Sequence, residues 1–193
     1  MIMKTGRHLF LVGFLIFFIA CKEKTYTPKP RGYMRIDFPV KAYQEYNKDC
    51  PFTFEYPVYG NIETDNMNFD EPCWFNIIFP EYNGKIHLTY KVIHNNLAEY
   101  MEDSRTLVYK HTIKADAINE NLYRFENKDI YGILYDIKGN AASSVQFFLT
   151  DSLHHFIRGS LYFNVEPNKD SLSPVIDFFR EDIIHMINTF QWR

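Results

Sequence analysis

Four strand-length segments crowd into residues 121–163: NLYRFE (121–126), YGILYDIK (131–138), SSVQFFLTD (143–151) and HHFIRGSLYF (154–163). Only two to four residues separate them, and Gly139-Asn140 marks one of the turns. A parallel neighbour needs a crossover of a dozen residues or more, so these segments must pair antiparallel. Aromatic residues make up 18% of the chain, with 18 Phe and 14 Tyr, and such rings favour strands over a helical bundle.

Upstream the alternation is similar. FTFEYP (52–57) sends Phe52, Phe54 and Tyr56 to one side and stops at Pro57, which predicts an edge-prone strand. WFNIIFP (74–80) and KIHLTYKV (85–92) flank Asn83-Gly84, the signature of a two-residue hairpin turn with both positions at positive φ. Two segments switch to helical period. In residues 95–110, Leu97, Tyr100, Met101, Ser104 and Val108 form one stripe, with Asn95 or Asn96 available as cap. In residues 171–192, Val175, Phe179, Ile183, Ile187 and Phe190 do the same, behind a capping Ser and with Pro174 in the first turn. The order predicts an α+β domain, a largely antiparallel sheet flanked by helices. Two amphipathic helices need two stripes of sheet to cover, which gives an α/β/α sandwich whose element order is similar to that of the photosystem protein PsbP.

The N-terminal stretch FLIFFIACKEK (14–24) belongs to no such element. Leu9 to Ala20 are twelve uncharged residues behind Lys4, Arg7 and His8, too few for the roughly 20 that span a bilayer as a helix. A basic start, a short apolar core and a small residue before a cut site describe a secretory signal. With Cys21 directly after Ala20, the arrangement resembles a bacterial lipobox, in which the thiol takes a diacylglycerol and becomes the new N-terminus; a cleaved, unlipidated chain is the alternative. Two or three acyl chains hold firmly where one is marginal. Residues 1–20 are thus expected to be a lipoprotein signal peptide, and residues 21–33, with Pro28 and Pro30, an extended tether. Residues 34–193 are expected to form a single globular domain.

Residues 1–20 hold two of the 21 Lys and Arg and no acid, so 19 basic residues face 24 acidic ones from Cys21 onward, a formal charge of −5. Nothing in that balance suggests a nucleic-acid binder, which wants a basic patch or stripe, and no nucleic-acid partner is expected. Once Cys21 is assigned to lipid, Cys50 and Cys73 remain as a pair, and an even count in an exported chain reads as a disulfide. Two buried free thiols are the alternative, and a metal site lacks the paired spacing or histidine cluster it would need.

Chemistry is otherwise hard to find. None of the histidines His8, His87, His94, His111, His154, His155 and His185 stands at i, i+4 from another. P-loop, GxGxxG and GxSxG motifs are absent. Glu102-Asp103 and Glu181-Asp182 read as solvated helix faces, and Ser143 and Ser144 as turn residues that could equally cradle a small anion. No catalytic residue, metal or cofactor is expected beyond the covalent lipid on Cys21.

YTPKPRGYMRIDFP (26–39), CPFTFEYPVY (50–59), PCWFNIIFP (72–80), EDSRTLVYKHTIKAD (102–116), YGILYDIKGNAASSVQFFLTDSLHHFIRGSLYF (131–163) and PNKDSLSPV (167–175) resemble, in order and over nearly the whole chain, the gliding motility lipoprotein GldD family of the Bacteroidota. The resemblance implies a non-catalytic envelope lipoprotein needed for gliding, tied to type IX secretion, anchored at the outer membrane facing the periplasm and partnered by other proteins of that machinery. It carries the lipidated position to Cys21 and the paired cysteines to Cys50 and Cys73. Candidate partner contacts are Arg31, Tyr33, Arg35 and Asp37 past the tether, and Asp103, Arg105 and His111 within 102–116; an N-terminal strap and a charged helix face explain the same residues. A periplasmic module for peptidoglycan, glycan or another small envelope molecule is the second reading, since exposed aromatic rings suit stacking.

Overall fold

The computed structural model describes residues 35–64, 71 and 73–193. The expected signal peptide and tether, with Cys21, Arg31 and Tyr33, lie outside them. Residues 36–193 form one compact unit.

Twelve elements follow one another: β1 (Tyr43–Tyr46), β2 (Phe52–Pro57), β3 (Asn61–Thr64), β4 (Phe75–Phe79), β5 (Gly84–Val92), α1 (Leu97–Tyr109), β6 (Ala115–Phe125), β7 (Ile130–Gly139), β8 (Ser143–Thr150), β9 (His155–Phe163), α2 (Lys169–Thr189) and β10 (Gln191–Trp192). Seven strands make one sheet in the order β3-β4-β5-β9-β8-β7-β6, and β1-β2-β10 make a second, small one. Every neighbouring pair is antiparallel. β2, expected at an edge, is the centre of the small sheet. Pro57 is tolerated because it is the last residue of the strand.

α2 and the small sheet cover one face of the large sheet, here called the inner face. Its core joins Phe52 and Phe54 of β2, Ile77 and Phe79 of β4, Leu134 of β7, Phe147 of β8 and Phe179, Ile183 and Ile187 of α2. α1 covers part of the outer face through Val108, with Tyr135, Ile137, Phe148 and Phe156 beneath it. Helix therefore lies on both faces, as the two stripes require.

Local chemistry explains most boundaries. The β4–β5 hairpin is present, but its turn is not the two-residue type. Pro80–Tyr82 form a 3-10 turn and only Asn83 takes positive φ, at 47°, while Gly84 opens β5. The β6–β7 turn repeats this device with Glu126–Lys128 and Asp129 at 49°. Gly84 is needed for a different reason: a Cβ there would sit 3.0 Å from the Phe163 ring. Asn96 precedes α1, yet its Oδ1 accepts from His94 N instead of capping the helix. α2 starts two residues before the predicted Ser, because Asn168 is the true cap and accepts from the backbone N–H of Asp170 and Ser171. Pro174 consequently lies inside the helix, and the chain leaves α2 at Thr189 to form β10.

Candidate functional site

The chain enters the described domain as an extended segment laid along α2. Phe38 stacks on Phe178 with ring centroids 4.4 Å apart. Lys41 Nζ donates to Phe178 O and to Asp182 Oδ1, each at 2.6 Å, and sits 3.4 Å above the Phe178 ring. Tyr43 OH donates to the same Oδ1 at 3.0 Å, and Tyr59 OH to Oδ2 at 2.7 Å. Asp182 is fully buried, at 0% exposure. A buried carboxylate is tolerable only when paired and hydrogen-bonded, and here one ammonium and two phenols meet it. Burial, reinforced by Asp182, pushes both phenols well above their ordinary pKa, so they stay donors.

This corrects the reading of Glu181-Asp182 as a solvated pair. Glu181 is exposed, but Asp182 falls at i+3 from Phe179 and beside Ile183, inside the apolar stripe. One turn further, His185 Nε2 lies 2.6 Å from Glu55 Oε2, with its ring stacked at 3.6 Å on Tyr43. Thr189 Oγ1 accepts from Glu55 N at 3.0 Å. The cluster contains acid, base and phenol, but Asp182 has no exposed surface with which to meet a substrate. It fastens the arriving segment to the core.

Among the described residues the candidate contacts do not gather on one surface. Asp37 is exposed in the lead-in and its carbonyl accepts from Tyr82 OH at 3.4 Å; Arg35, just before it, is also exposed. From Asp37 to Lys41 the lead-in packs on the α2 side of the sheet, whereas α1 packs on the other face. On α1 Asp103 is exposed, and Arg105 pairs with Glu102 at 3.2 Å and lies over Tyr109, whose OH donates to Glu120. The result is a surface network on the helix face, in which Arg105 is already engaged. His111 behaves differently. It sits half-buried in the 3-10 turn after α1 (Lys110–Ile113), and burial, with the charge of Arg158 added, lowers its pKa. Cys50 and Cys73 are bonded to each other, with their Cα atoms 5.8 Å apart.

Arg158 belongs to a feature that alternation hid. Strand register lines up Glu63, Asn76, His87, Ser160, Gln146, Tyr135 and Glu120 as one row across all seven strands of the outer face. Ser160 and Gln146 are buried within it. Arg158, two residues along β9 from Ser160, donates from Nη2 to Gln146 Oε1 at 2.5 Å. On the other side of Ser160, Tyr162, His87 and Lys85 begin a groove of about 540 Å³ that runs past Asn83 and Asn164 to Glu63. Ser143, weighed as part of an anion cradle, is instead fully buried, and its hydroxyl donates to Val145 O at 3.5 Å. A glutamine inside the apolar run of SSVQFFLTD is the sequence signal that could have pointed to the row.

Among the described residues no group of three His, Cys, Asp or Glu could hold a metal ion, and no helix is long and apolar enough to cross a membrane. A family model described as gliding motility lipoprotein GldD matches residues 23–192. The solution structure of cyanobacterial PsbP (CyanoP) from Synechocystis sp. PCC 6803 is similar at a TM-score of 0.49 and 11% identity, over 83% of this chain and 98% of that one. No curated protein matches the sequence.

Proposed function

Because the chain belongs to the gliding motility lipoprotein GldD family, we propose that it is a non-catalytic assembly or stabilising factor for the envelope machinery of gliding, linked to type IX secretion. Lipoprotein membership implies membrane association. In this reading the lipid is on Cys21, the leaflet is that of the outer membrane, and the domain faces the periplasm. Attachment to a surface raises the effective concentration of the domain for anything else held there, so weak contacts become persistent ones.

The observation that carries the reading is the Asp182 cluster. The lead-in segment is bonded to the middle of α2 through Lys41 and Tyr43, so it is fixed to the domain it enters. The polar groups of that cluster serve packing, which is what a scaffold needs and what an active site does not.

Cross-linking in intact cells followed by affinity purification tests it. Stoichiometric recovery of envelope proteins of the gliding or secretion machinery is expected. Recovery of the chain alone, or as a monomer with a tightly held metabolite, would overturn the scaffold role and favour a ligand module.

A further inference from the structure

β6 closes one end of the seven-stranded sheet and pairs with β7, so among the described residues its other side carries an unpaired row of N–H and C=O groups. Folded chains blunt such edges with short strands, Pro, Lys or bulges. The opposite edge, β3, follows that rule with four residues. β6 does not. It is eleven residues long, holds neither Pro nor Lys, and its irregularity, between Ala115 and Ala117, leaves the run to Phe125 in regular register. On the outer face of that run Leu122 is 81% exposed, and Glu120 and Arg124 flank it on the same face. Beside it, Leu97 and Met101 of α1, Ile133 of β7 and Phe148 of β8 line an apolar hollow of about 270 Å³. An open ladder therefore adjoins an apolar surface with charges at its margin, which is the anatomy of an interface.

We propose that β6 pairs antiparallel with β6 of a second copy of this chain, about a two-fold axis at Leu122, so that the two large sheets run on as one. Charge sets both the partner and the register. With the axis at Leu122, Glu120 lies opposite Arg124 of the second copy and, by symmetry, Arg124 lies opposite its Glu120, while the two Leu122 side chains face each other between these pairs. The ladder then extends over the seven residues Asn119–Phe125. Neighbouring registers fail. An axis at Glu120 or at Arg124 sets a charge against itself, one at Tyr123 opposes Glu120 to Glu126, and one at Asn121 leaves Leu122 against Glu120. Within the chain Glu120 accepts from Tyr109 OH at 3.1 Å and Arg124 pairs with Glu126 at 2.8 Å. Both contacts lie at the exposed surface and leave carboxylate lone pairs and guanidinium donors for a pair across the edge. Two chains held on one membrane meet at high effective concentration, which sustains a pairing that dilute solution would not. The proposal does not rest on the assembly-factor reading: a chain that recruits its partners singly would fail the test below and leave that reading standing.

The test uses the full chain at its native expression level in intact cells, treated with a short bis-maleimide. Leu122→Cys should be joined to itself, giving a band of twice the mass that contains this chain alone, because Cys50 and Cys73 are bonded to each other. Ile113→Cys should not, although Ile113 is 92% exposed, because it lies in the turn before β6, far from the axis. In the Leu122→Cys background, Glu120→Arg or Arg124→Glu alone should lower the yield of dimer about fivefold or more, since like charges then stand opposite at both ends. The two together should restore it, since the pairs are merely exchanged. No homodimer from Leu122→Cys, an equal yield from Ile113→Cys, capture of a different polypeptide in its place, single reversals without effect, or no restoration by the double reversal would each overturn the assignment. The wild-type chain gives a readout that needs no variant. In phosphatidylethanolamine–phosphatidylglycerol vesicles, alternate backbone amides of Asn119–Phe125 should gain protection from hydrogen exchange as the protein-to-lipid ratio rises, and unchanged exchange there would overturn the pairing.

Discussion

Lys41 Nζ lies 2.6 Å from Asp182 Oδ1, 141 residues apart in sequence, and this bond joins the incoming chain to the middle of α2. Lys41 keeps a quarter of its side chain exposed, while Asp182 has none. Replacing Asp182 with Ala removes the acceptor of three donors, so a loss of about 3 kcal/mol is expected in urea unfolding. Lys41→Met should cost less, because Tyr43 and Tyr59 still serve the carboxylate. The double variant should fall short of the sum of the two losses, as residues sharing one network do.

The Cys50–Cys73 bond closes a loop of sequence separation 23. Loop-closure entropy assigns such a bond about 3 kcal/mol. Cys50→Ala with Cys73→Ala should lower stability by that order, and a reductant should do the same to the wild type but not to the double variant. Peptide mapping without reduction should find the two cysteines linked.

Gly159 sits under an aromatic ring. A Cβ there would lie 2.2 Å from Phe147 Cε1, and the ring is itself buried. Gly159→Ala should cost about 2–3 kcal/mol by overpacking. Adding Phe147→Leu should recover part of the loss, and a thermal melt of the three variants measures both effects.

Much of this architecture was legible in the chain, and the failures share a cause. Strands β4, β5, β7, β8 and β9 and both helices follow from apolar period, because each buries a face of its own. β1 (YQEY) and β10 (QW) are too short to show a period, and they exist because β2 offers a ladder on each side. The first half of β6, ADAINE, reads as polar because it is an exposed edge. Asp182 was illegible for the opposite reason: it is a polar residue at a position whose pattern says core, and its partner Lys41 is distant in sequence.

Asp151 gives a pH dependence. Burial opposes its ionisation, but three backbone N–H groups, from His155, His154 and Leu153, donate to it and bring its pKa below the ordinary value. A depressed carboxylate contributes stability above its unfolded pKa of about 4, and the contribution fades as pH falls through the folded value. Asp151→Asn should therefore cost about 1–2 kcal/mol at pH 7, and the gap from wild type should close on acidification. Urea unfolding across pH 2.5–7 (about the range over which a carboxylate titrates) measures it.

Cys21→Ala should leave the domain folded and move it from the membrane fraction to the soluble one. Retention in membranes after high-salt washing would show that something other than an acyl chain holds it.

β2 is flanked on one side by β1 and on the other by β10, strands that begin at residues 43 and 191. A polypeptide emerging N-terminus first thus presents half of this little three-stranded ribbon early and must wait for residues 191–192 to finish it. Phe52, which Trp192 meets edge-on at 6.4 Å, would lack that part of its cover until then. A chain interrupted shortly before that point would offer an open strand edge and uncovered rings, marking truncated molecules for proteolysis while finished ones are spared.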